Sequence, residues 1–198
     1  MSLVRRFSPA LLTPLAALAL GACGLNSVPT AEEAAKARWA DVQNEYQRRA
    51  DLIPNLVNTV KGYAKQEKDV LTEVTEARAR ATGVNVSADD LDDPEKLRRF
   101  GEAQGALSQS LGRLLVVTEN YPDLKSNQNF LALQSQLEGT ENRISIARRD
   151  YNEAVRAYNT RIRTFPDAIG AKVFYGAKPM VTFEATTPNA QTAPAVTF

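Results

Sequence analysis

The chain has 198 residues, 43% of them hydrophobic and 24% charged, which suits one globular domain with ends outside its core. Lys and Arg (24) nearly balance Asp and Glu (23), so there is no electrostatic footprint for nucleic acid. Histidine is absent, which removes the commonest general base and the usual zinc ligand, and one cysteine, Cys23, allows no internal disulfide. The ten glycines form neither a GxGxxG nor a GxxxxGK pattern, so neither nucleotide nor other cofactor is expected.

At the start, Arg5 and Arg6 precede an apolar run, residues 10–22 (ALLTPLAALALGA), of secretory-signal length and too short to span a bilayer. Leu20-Gly21-Ala22-Cys23 resembles the lipobox of bacterial lipoproteins. That resemblance implies a signal peptide over residues 1–22, a diacylglycerol on the Cys23 thiol, and cleavage just before it. The alternative is a free thiol at the end of an uncleaved membrane anchor. Gly24 stands where an Asp would resemble an inner-membrane retention signal, which favours the outer membrane in a Gram-negative host. Residues 23–30 then read as a lipidated linker.

From residue 31 the apolar residues recur at three and four, the helical period. Ala35, Trp39, Val42 and Tyr46 mark a first helix. Leu56, Val60, Tyr63, Val70, Val74, Ala77 and Ala81 mark a second, over about residues 52–82, with Asp51 as its cap and Pro54 in its first turn. One long helix kinked at Pro54 is the alternative, since the proline ring clashes with the carbonyl of Ala50. Gly83 and a polar loop follow, and Asp93 caps a third helix that opens on Pro94 and carries Leu97, Phe100, Leu107, Leu111, Leu114 and Thr118. Tyr121-Pro122-Asp123 turns the chain. On the fourth helix Phe130, Leu137, Ile144, Tyr151, Tyr158 and Phe165 fall every seventh residue, and Pro166 ends it. The expected fold is all-α: an antiparallel four-helix bundle with long helices over residues 31–176, closed by a short helix in DAIGAKVFYG. Residues 177–198, rich in Thr, Ala and Pro without period, read as a disordered tail.

Four stretches resemble the LemA family of bacterial membrane-associated proteins: RRADLIPNLVNTVKGYAKQE (48–67), VTENYPDLKSNQNFLALQSQLEGTENRI (117–144), ARRDYNEAVRAYN (147–159) and FPDAIGAKVFYG (165–176). The resemblance covers about residues 32–184. It implies a helical bundle held at the cell envelope, associated with other envelope proteins and without established catalysis. Two departures stand out: a lipobox replaces a short transmembrane helix, and Gln66 stands where many members have a histidine.

Among single residues, Glu67 falls on the apolar stripe of the second helix, where Arg143 or Arg148 of the fourth would neutralise it. Asp89, Asp90, Asp92 and Asp93 crowd one loop but lack the alternation and turn glycine of an EF-hand, so capping explains them and no metal is expected. Asn152 and Asn159, seven apart, either bond across the bundle or line a peptide groove. The turn from Tyr121 to Asn129 is the best candidate for partner binding, through Tyr121, Asp123, Lys125, Asn127 and Asn129; Ser126 or Asn127 also suits a helix cap. The residues 195–198 (AVTF) offer an aromatic segment that a peptide-binding domain could capture. The function expected is that of a lipid-anchored scaffold or adaptor binding another envelope protein from the periplasmic side, with no catalytic residues. The alternative is a hydrolase using carboxylates and a metal. No HExxH or paired-carboxylate motif supports it.

Overall fold

The structure, a computed structural model, describes residues 26–183; Cys23 and the signal segment 1–22 lie outside the described residues. Its helices are α1 (Ser27–Tyr63), α2 (Lys68–Gly83), α3 (Pro94–Thr118), α4 (Pro122–Lys125), α5 (Gln128–Arg161) and α6 (Asp167–Gly170). One π-type turn, Ala171–Tyr175, continues α6, and no strand occurs among the described residues. None of these helices is long and apolar enough to cross a membrane.

Helix α1 starts four residues before the expected boundary at residue 31, because Pro29 sits in its first turn, where no intrahelical N–H is needed. It then runs through Pro54 without a break, against the expected turn at Asp51. The ring of Pro54 denies the Ala50 carbonyl its usual partner. Arg78 of α2 supplies another, its Nε donating to that carbonyl at 2.7 Å, so the helix continues. Asp51 is no cap; it accepts from Gln47 Nε2 one turn back. The break falls instead at Ala64–Glu67, after Gly62 and within a polar run, Lys65 to Asp69, that gives a helix little to bury. Asp93 caps α3 as expected, accepting from the backbone of Glu95 and Lys96.

Two cores follow each other along the molecule. In one, Ile53, Leu56 and Val60 of α1 pack with Leu71 and Val74 of α2, Leu107 and Leu114 of α3, and Phe130 and Leu137 of α5. All four long helices share this half. In the other, α1 (Val28 to Tyr46) and α5 (Ile144 to Tyr158) enclose Val86, Leu91, Leu97 and Phe100, with Ala171 and Met180 closing the side. Here Trp39 is the centre, its ring 5.3 Å from Phe100 and 5.4 Å from Tyr151. The seven-residue row of α5 is buried from Phe130 to Tyr158. Its last expected member, Phe165, is exposed, because the helix ends at Arg161 before the row reaches it.

Candidate functional site

The turn from Tyr121 to Asn129 is built around α4, which opens on Pro122 and sinks Leu124 completely into the core. Two of the expected partner-binding residues face inward. The Tyr121 hydroxyl donates to Glu67 Oε1 at 2.8 Å, and the negative carboxylate beside it raises the phenol pKa. Asn127 works twice: its Nδ2 donates to the Tyr63 hydroxyl (2.8 Å), while its Oδ1 accepts from the Phe130 backbone and caps α5. Asp123, Lys125 and Asn129 face solvent, with Lys125 paired to Glu119. At 1.5 Å per residue α1 spans ~55 Å, and the bond to Tyr63 places the turn at the opposite end from Ser27.

Glu67 is thus not held by Arg143 or Arg148. The break before α2 makes it the N-cap position, half-buried under Tyr121. Arg143 pairs with Glu45 (3.0 Å), and Arg148 lies 4.7 Å over the Phe183 ring. The acidic loop is divided among neighbours. Asp90 forms a capping box with Ser87 and pairs with Lys96, which together hold its carboxyl at about 2; Asp92 pairs with Lys178; Asp93 is a cap. Among the described residues no group of three or more His, Cys, Asp or Glu is placed to hold a metal ion.

The cation that does lie inside is Arg49, 1% exposed at the joint between the two cores. Its Nη1 donates to Ser108 Oγ and to Glu141 Oε1, both at 2.7 Å, and its Nη2 donates to Gln104 Oε1 at 2.6 Å. Its guanidinium also sits 5.1 Å from the Tyr46 ring centroid. Gln104 in turn donates to the Ala81 carbonyl, so α1, α2, α3 and α5 meet through one side chain. A cavity of about 480 Å³ opens beside it, lined by Tyr46, Gln104, Ser108, Glu141 and Arg148. Sequence reasoning passed over Arg49, although Val42, Tyr46, Arg49, Ile53 and Leu56 form one row at spacings of four and three.

Asn152 and Asn159 hold a peptide, and it is the chain's own. Asn159 Nδ2 donates to the Met180 carbonyl at 2.8 Å, and its Oδ1 accepts from the Met180 N–H at 2.9 Å. Asn152 clasps Phe183 in the same two-handed way, at 3.0 and 2.8 Å. Between them the Tyr151 hydroxyl donates to the Val181 carbonyl, and the Val181 N–H donates to Leu91 O. Three extended residues cover ~10 Å and seven helical residues ~10.5 Å, so the two spacings register. The Phe183 ring stacks 5.7 Å from Trp39. The expected disorder from residue 177 therefore fails for residues 177–183, whose backbone bonds go mostly to side chains, with Val181 N–H to Leu91 O and Ala177 N–H to Ala171 O as backbone partners; residues 184–198 lie outside the described residues. Gly176, at φ 56°, turns the chain from the π-type turn into this groove.

The chain is similar in sequence to several known proteins. The chain is 26% identical over 157 residues to the magnetosome protein MamQ 1 of Paramagnetospirillum magneticum, covering 71% of this chain and 58% of that protein. It is 24% identical, with the same coverage, to MamQ of Magnetospirillum gryphiswaldense. With the protein LemA of Metamycoplasma hominis it shares 29% identity over 122 residues, 61% of this chain and 51% of the relative. The chain thus spans between half and three-fifths of these relatives' length, and none of their names denotes a reaction. The model of the LemA family matches residues 38–198, and the chain belongs to that family.

Proposed function

We propose that this protein is a non-catalytic envelope scaffold, tethered to the membrane by a lipid on Cys23, that presents the Tyr121–Asn129 turn to another envelope protein. The observation that carries the reading is the clamp between that turn and the joint between α1 and α2. Tyr63 and Glu67 hold Asn127 and Tyr121, so the exposed Asp123, Lys125 and Asn129 sit on a stiff mount. Val116 and Leu131, both exposed, flank the turn in sequence and add apolar surface to these polar groups. A tether at one end of a ~55 Å helix leaves the other end free to meet a partner in the periplasm. In a Gram-negative host, Gly24 after Cys23 favours the outer membrane.

The test is Asp123→Ala with Lys125→Ala in the full chain. Removing the exposed Lys125–Glu119 pair costs under ~1 kcal/mol, so melting shifts by a few degrees at most. In-cell crosslinks to the partner, read by mass spectrometry, should disappear. Crosslinks that persist at unchanged melting temperature would show that the turn only joins two helices. Cys23→Ala tests the anchor: palmitate labelling should be lost, and a label that survives, or none in the parent protein, refutes it.

A further inference from the structure

At the end of the molecule that holds Ser27, the segment Phe165 to Phe174 gathers four exposed large hydrophobic side chains within ten residues. Phe165 is 82% exposed, Val173 68%, Phe174 67% and Ile169 57%. These side chains do not belong to the core beneath them, where Ala171 and the glycine of α6 make the buried contacts. Basic residues are interleaved with them: Arg161, Arg163 and Lys172 are exposed, against the single acid Asp167, which pairs with Arg161. Aromatic and branched apolar groups set among cations, on a short irregular helix, are the composition of a surface that enters the headgroup region of a bilayer.

Its position decides the occupant. Tyr175 and Gly176 line a cavity with Glu32 and Lys36, and Ala171 packs in the same core as Val28. The patch thus lies beside the amino-terminal part of α1, at Glu32 and Lys36. From Ser27 back to Cys23 is four residues, which reach at most ~14 Å. An acyl chain on Cys23 would enter the membrane within that reach of Ser27, at the same end of the molecule as Phe174. We propose that this α6 patch is a second membrane contact: Phe165, Ile169, Val173 and Phe174 insert at the lipid interface, Arg163 and Lys172 meet anionic headgroups, and the helices stand away from the bilayer. The inference rests on the lipid-anchor reading. A lipid alone tethers the chain through a short segment that leaves its orientation open, whereas a lipid and a wedge together fix which end faces outward.

The experiment places a photoreactive benzoylphenylalanine at Phe174, and separately at Leu131 near the opposite end, in the full chain expressed in cells. Both positions are exposed, so neither replacement disturbs the core. After illumination, phospholipid adducts are expected at position 174 and not at 131. Absence of phospholipid adducts at 174, adducts there to protein alone, or equal lipid adducts at both positions would overturn the proposal. The mass of the amino-terminal peptide reports the lipid on Cys23 separately. Lipid on Cys23 without adducts at 174 refutes the patch alone, and adducts at 174 without that lipid uphold the patch and refute the anchor.

Discussion

Asn152→Ala removes both hydrogen bonds that hold the Phe183 backbone and leaves the helix otherwise unchanged. Each such bond contributes about 1 kcal/mol net, so docking of the tail should weaken by about 2 kcal/mol. The loss falls on the tail before it reaches the bundle, because the segment after Gly176 can detach without opening α1 or α5. At 1.4 kcal/mol per tenfold, 2 kcal/mol is roughly a 30-fold rise in the open population. Hydrogen exchange reads this directly: the amides of Met180, Val181 and Phe183 donate to Asn159, Leu91 and Asn152 and should be protected in the parent protein. In the variant all three should exchange about 30-fold faster, while amides of Tyr151 and Val155 in α5 barely change. Tryptophan fluorescence offers a second probe, since Phe183 stacks on the single Trp39. Free exchange of these three amides in the parent protein would refute the clasp. Unchanged protection in the variant would mean that the ring contacts of Phe183 hold the tail without Asn152.

Arg78→Ala should cost ~1–3 kcal/mol in urea denaturation by leaving the buried Ala50 carbonyl unpaired. In a Pro54→Ala background the new N–H takes that carbonyl and the cost should fall below ~1 kcal/mol, so equal costs in both backgrounds would discount the explanation of the unbroken helix. Ile144→Asp removes an apolar side chain from a 4% exposed core position and puts a carboxylate in its place, and should destabilise by about 3 kcal/mol or more. Arg149→Asp, on the solvent side, should cost less than ~1 kcal/mol, and equal losses of melting temperature in the two would mean that α5 faces the other way.

Much of this was legible where one periodic pattern or one local capping signal decided the outcome. The α5 row from Phe130 to Tyr158 is such a case, as are the Asp93-Pro94 start of α3 and the Asn127 cap of α5. Legibility failed where a distant residue supplied the missing partner. Pro54 reads as a break until Arg78, on another helix, is seen to satisfy Ala50. Glu67 reads as a core carboxylate only if one helix runs unbroken across Ala64, and none does. The tail reads as disorder because an extended segment bonded to asparagine side chains leaves no helical or strand period. The trace it does leave is the pairing of two asparagines seven apart with Met180 and Phe183 three apart. In the candidate turn, sequence identified the segment but not which residues face out, since the inward turn of Tyr121 and Asn127 depends on Glu67 before α2 and on Tyr63 at the far end of α1.

The clasped tail also sets an order of assembly. The core around Ile53 and Leu107 needs nothing beyond Leu137, so it can close while the last third of the chain is still being made. The core around Trp39 uses Val28 near its start and Met180 and Phe183 near its end, contacts that enclose almost the whole described chain. A chain threaded head first through a narrow pore would therefore keep its leading third of α1 half-dressed until the tail arrives. In such a chain the Trp39 half would become native last, once Met180 and Phe183 had come through.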